Sequence, residues 1–89
     1  MTKKRRKLNK DFEKKIYSSK KNVELVLAKI YDIDDEDIQK EYISAFNGVV
    51  CLYDELKDDY DQQGFNDTSE DLLTDYKNAL SIFESEFEI

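Results

Sequence analysis

Apolar positions along this chain fall into three stretches of helical period. Phe12, Ile16, Ser19, Val23, Val26 and Ile30 recur at steps of four and three, provided that Ser19 is admitted to the stripe. Asn9 stands just ahead of them as a natural N-cap. In the second stretch Ile38, Tyr42, Ala45, Val49, Leu52 and Leu56 alternate steps of four and three. They follow "DIDDED", whose acids suit the positive end of a helix dipole. The third stretch opens at Asp67 and carries Leu72, Tyr76, Ala79, Leu80, Phe83 and Phe87. The pattern predicts helices over residues 9–32, 35–63 and 67–88.

One local signal disagrees. Asn47-Gly48 lies between apolar runs, the usual signature of a tight hairpin turn. Neither "YISAF" nor "VVCLY" alternates with period two, however, and the helical stripe passes Gly48 without losing phase, so a continuous helix is predicted. Short connections make sequential helices antiparallel neighbours. The expected fold is therefore all-α, an antiparallel three-helix bundle over residues 8–89. Residues 1–7, "MTKKRRK", hold no apolar anchor and are expected to form a short mobile basic arm.

Charge changes this picture more than size does. Of 89 residues 39% are charged, well above the ~25% of ordinary domains. The formal net charge of −7 conceals an asymmetry. Residues 1–22 contain ten Lys or Arg against two acids, and residues 23–89 contain four Lys against nineteen acids. The molecule reads as a basic arm on an acidic body. In an up-down-up bundle one end gathers Asp34, Asp35, Asp37, Glu41, Glu84, Glu86 and Glu88 with few lysines nearby. These seven are the expected partner-binding residues. The other end places Asp54, Glu55, Asp58, Asp59, Asp61, Asp67, Glu70, Asp71 and Asp75 beside the basic arm, which is expected to neutralise them in part. Asp67, Asp71 and Asp75, at i and i+4, form a ladder of carboxylates spaced ~6 Å apart on one helix.

Candidate chemistry is sparse. The chain has no histidine, which removes serine–histidine and cysteine–histidine catalysis and leaves a zinc site little to build on. Cys51 is the single cysteine and sits in an apolar run, so it is expected to be a buried structural thiol. No acid/base constellation stands out, no cofactor motif is present, and a non-enzymatic protein is expected. One stretch approaches a motif. In "DYDQQGFNDTSE" Asp59, Asp61, Gln63, Gly64, Asp67 and Glu70 overlay the calcium loop of an EF-hand. Gln63 is long for its position, Asn66 stands where an apolar residue belongs, and no sister loop exists. The competing reading is a polar turn: Gly64 ends helix two, and Asp67 with Glu70 forms a capping-box variant that opens helix three.

No apolar run is long enough to cross a bilayer and no signal-peptide core follows the basic start, so a cytoplasmic protein is expected. Abundant Lys, Asn, Ile and Tyr beside three Ala and no Pro point to an AT-rich gene, as in a low-GC bacterium, its phage or a mobile element. The expected function is that of a small acidic protein-binding inhibitor or modulator. Its carboxylates would act by mimicry of nucleic acid, or by occlusion, on the basic surface of a host polymerase or nuclease. Three alternatives come from the same residues: a nucleic-acid-binding accessory protein using Lys3, Lys4, Arg5, Arg6 and Lys7, an immunity- or antitoxin-like binder, and a calcium-binding helix-loop-helix. Tyr17, Tyr31, Tyr53 and Tyr60 lie off the main stripes and are candidate anchors for a partner or for self-association.

Overall fold

A computed structural model describes residues 8–87. The arm at 1–7, including Lys3, Lys4, Arg5, Arg6 and Lys7, and Glu88 of the acidic end lie outside the described residues. Three helices follow in order: α1, Lys10–Tyr31; α2, Glu36–Gln63; α3, Asp67–Phe87. Each starts at a cap. Asn9 has extended backbone and its side chain accepts a hydrogen bond from the Phe12 N–H at 3.0 Å. Asp35 accepts through Oδ1 from the N–H groups of Asp37 and Ile38, at 2.9 and 3.2 Å. These bonds satisfy donors that a helix start leaves unpaired.

Gly64 ends α2 with φ 77° and ψ −163°, a conformation in which a side chain would be strained, and its N–H reaches the Tyr60 carbonyl at 2.8 Å. The cap of α3 differs from expectation by one residue. The Asn66 side chain accepts from the Ser69 N–H at 3.1 Å, and Ser69 Oγ accepts from the Asn66 N–H at 2.9 Å. This reciprocal pair does the work assigned to Asp67 and Glu70. Asn66 is further held because its Nδ2 donates to the Gly64 carbonyl and to Asp59.

The order is up-down-up. The start of α1 meets the end of α2, where the Asn9 N–H donates to the Tyr60 hydroxyl and that hydroxyl donates to Glu13 at 2.6 Å. Phe12 packs against Tyr60 and Phe65, with ring centroids 5.5 and 5.0 Å apart, closing this end of the core. α3 then returns along α2 in antiparallel register, with Phe46 against Phe83 at 4.9 Å and Tyr53 against Tyr76 at 6.2 Å. Tyr42 packs on Phe87 at 4.7 Å and donates its hydroxyl to the Phe87 carbonyl. α2 is the central helix, in closer contact with α3 than with α1.

The α1 stripe is buried at every predicted position, Ser19 included. Serine suits that place because Tyr76 crosses from α3 and donates its hydroxyl to the Ser19 carbonyl at 3.1 Å, while Ser19 Oγ is spent on the Lys15 carbonyl. In α2 the buried stripe is Phe46, Val49, Tyr53, Leu56 and Tyr60. Ile38 and Ala45 are exposed and Leu52 is half-buried. The predicted stripe thus shares Val49 and Leu56 with the core and otherwise follows its edge. Tyr53 and Tyr60 are core residues rather than anchors, whereas Tyr17 and Tyr31 are exposed. Cys51 is exposed too, contrary to expectation, since two residues beyond Val49 turn it about 200° away from the core. α2 runs unbroken through Asn47-Gly48.

Candidate partner-binding surfaces

Asp34 lies in the turn between α1 and α2, Asp35 caps α2, and Asp37 and Glu41 occupy its first two turns. Glu84 and Glu86 lie in the last turn of α3, which the Tyr42–Phe87 contact brings beside the start of α2. All six are exposed. They gather at one end but do not share one face. Glu84 borders the groove between α1 and α3, and Glu86, two residues on, lies about 200° round the helix. The end itself is braced by a side chain that the periodicity does not reveal. Gln39 Nε2 donates to the Ile30 and Tyr31 carbonyls, both at 3.2 Å, and so ties α2 to the unsatisfied end of α1.

The acids at the other end are arranged differently from a calcium loop. Asp59, Asp61 and Gln63 belong to the last turns of α2, Asp67 and Glu70 to the first turn of α3, and Gly64, Phe65 and Asn66 alone separate the helices. Asp59 accepts from Asn66 and Asp61 pairs with Lys57 at 2.8 Å. Among the described residues no group of three acid or cysteine side chains is placed to hold a metal ion. The Asp67, Asp71 and Asp75 ladder is exposed on α3.

Charge is sorted by helix. α1 carries Lys10, Lys14, Lys15, Lys20, Lys21 and Lys29 against three acids, while α2 and α3 hold most of the carboxylates and only Lys40, Lys57 and Lys77. Among the described residues one ion pair forms, Lys57 with Asp61, and it lies within α2. That hydrogen bond raises the Lys57 pKa. On the solvent face of α1 the Lys21 ammonium sits 5.4 Å from the Tyr17 ring centroid. A groove of about 380 Å³ separates α1 from α3, with Lys14, Lys15, Ser18 and Asn22 on one wall, Lys77 and Ser81 on the other, and Tyr76 and Leu80 among its lining. Inside the bundle, burial pushes the Tyr76 and Tyr53 phenols above their ordinary pKa.

A surface that the stripe analysis does not single out lies on the outer side of α2 and α3. There Ile38, Ala45 and Gly48 are exposed on α2, and Ile82 is exposed on α3. Ile82 falls outside the apolar period of α3, and its being an isolated off-phase isoleucine is the signal for it. No described helix is long and apolar enough to cross a membrane. No protein-family profile, curated protein or solved structure matches this chain.

Proposed function

We propose that this protein is a non-enzymatic binding module whose acidic body engages a basic surface of a partner protein. The partner class is one that handles nucleic acid, such as a polymerase or nuclease, and the module acts as an inhibitor or modulator by occupying the nucleic-acid groove. The observation that supports the reading is the state of the carboxylates. Apart from the half-buried Asp59 they stand exposed along two antiparallel helices, and within the described residues a single intrahelical lysine pairs with one of them. Closely spaced fixed negative charge resembles a phosphate backbone to a basic groove, and it accelerates encounter with one.

The test is affinity capture from a low-GC bacterial lysate at two salt concentrations, comparing wild type with Asp34→Asn/Asp35→Asn/Asp37→Asn. Asn also caps helices, so the fold persists while three charges go. Capture of a basic nucleic-acid enzyme at low salt, weakened in the triple variant, is the expected result. Identical capture by both proteins at both salts would remove the electrostatic basis.

A second reading rests on Lys10, Lys14, Tyr17 and Lys21, which share the solvent face of α1, the helix that follows the basic arm in sequence. Basic residues interleaved with an aromatic ring suit single-stranded nucleic acid. A salt-sensitive mobility shift of labelled single-stranded DNA by the full chain would promote this reading over the first.

A further inference from the structure

The core does not use all of the apolar surface that α2 offers. Ile38, Ala45 and Leu52 repeat every seven residues along one edge of the helix, flanking the buried stripe on the side of α3. Ile38 is 44% exposed and Leu52 half-buried. From α3, Ala79 is half-buried and Ile82 is 59% exposed. The Phe46–Phe83 and Tyr53–Tyr76 contacts set the register, so that Gly48 and Leu52 of α2 stand level with Ala79 and Ile82 of α3. The result is a shallow apolar seam between two antiparallel helices, with heptad spacing on one side.

Gly48 lies in this seam and has no evident role in the isolated fold. It is exposed, it is helical, and a Cβ built on it would meet nothing within 4 Å. A mid-helix glycine is unfavourable, and close approach by another backbone is one reason to keep it. The rim of the seam is acidic. On α2 Glu41 falls between Ile38 and Ala45 and Glu55 lies one turn after Leu52, and on α3 Asp75 lies one turn before Ala79 and Glu86 one turn after Ile82, with Asp71 a turn beyond Asp75; all are exposed.

We infer that the outer α2–α3 seam is the docking site for a single amphipathic helix of a partner, apolar on one face and basic on its flanks, which lies along the seam and completes a four-helix bundle. This inference rests on the proposed binding of a basic partner and names the surface that does it. The occupant follows from charge: a basic-flanked helix complements the rim, whereas a second copy placed on the same seam would set carboxylates against carboxylates. Glu41 and Glu86 belong both to the rim and to the acidic end, so the end steers the partner and the seam anchors it. A chain of this kind would recognise a helix already present on its target, which distinguishes it from a purely electrostatic plug.

The probe is a synthetic helical peptide of leucine and lysine with all leucines on one face, beside a matched peptide in which glutamine replaces every leucine. Binding is followed by amide shifts of the full chain. The expected result is saturable binding of the first peptide with shifts centred on Ile38, Ala45, Gly48, Leu52, Ala79 and Ile82, and weaker binding of the second. The variant Ile38→Gln/Ile82→Gln alters no charge and touches only exposed side chains, so it should fold normally and bind the leucine peptide at least about tenfold more weakly. Shifts confined to Asp34, Asp37 and Glu84, with both peptides equal and the variant unaffected, would overturn the seam and leave the charge-based reading standing. Shifts on α1, or a dimer of the free protein that the double variant abolishes, would also overturn it. Failure of both peptides to bind at low salt would overturn the charge-based reading together with the seam.

Discussion

At Gly48 a hydrogen atom stands in place of a side chain midway along a 28-residue helix, with open space around it. The backbone there is helical, and alanine would adopt it with less entropy to lose from the unfolded chain. Gly48→Ala should therefore stabilise the isolated protein by about 0.5–1 kcal/mol, measured as a shift of the urea midpoint with an unchanged m-value. A loss of stability would mean that something in the free chain already packs at this position. Asn47-Gly48 also shows why a residue-level signal can mislead. The pair favours a turn only when its flanks alternate as strands do, and here the flanking apolar residues keep helical phase. Cys51 is exposed for a related reason: its neighbours are apolar, but burial follows angle round the helix, not neighbours in sequence.

α1 was legible because a single set of positions holds its period from end to end, and the apolar residues outside it, Tyr17, Leu25, Leu27, Ala28 and Tyr31, form no second stripe of that length. α2 was not, because two sets fit equally well. Ile38, Tyr42, Ala45, Val49, Leu52 and Leu56 make one stripe, and Tyr42, Phe46, Val49, Tyr53, Leu56 and Tyr60 make another with the same spacing. Periodicity cannot choose between two stripes displaced by four residues, about 40° round the helix. Packing chooses the second, since its aromatic rings fill the space between α1 and α3. At the same scale the α1–α2 joint depends on Gln39, whose amide covers the last carbonyls of α1. Gln39→Ala should cost about 1 kcal/mol. Gln39→Glu should cost more at neutral pH, because a carboxylate cannot donate and faces the negative end of a helix. That environment raises the pKa of the new glutamate in the folded state. The excess should fade as pH drops through the glutamate range near ~4, where the acid becomes a donor again. Urea melts of wild type and both variants at two pH values would show it, and a pH-independent difference between the variants would contradict the capping role.

For the molecule as a whole, pH sensitivity at the alkaline side should come from the core. Tyr53 and Tyr76 are buried, and desolvation raises both phenols. An acid whose folded pKa exceeds its unfolded value near ~10 favours the folded state while protonated, and that contribution is lost as pH rises through the folded value. Stability should accordingly be flat just below pH ~10 and fall above it. Lys57 acts in the same direction but is half exposed and counts for little. Tyr76→Phe should lower stability at neutral pH, by losing the bond to the Ser19 carbonyl, and should make the alkaline fall shallower. An alkaline slope unchanged in Tyr76→Phe would place the titrating groups elsewhere.

Three helices, their caps at Asn9 and Gly64, the up-down-up order and the sorting of charge into a basic start and an acidic remainder can be read from the chain alone. Those features depend on local rules: period, capping chemistry and loop length. Which edge of α2 is core and which is left over emerges only when α1 and α3 pack against it. Packing also set the side of the bundle that Glu84 faces, at the groove between α1 and α3, and the register that brings Ile82 level with Gly48. These depend on how far each helix is rotated about its own axis, and that rotation is fixed only when large side chains from two neighbours compete for one interior.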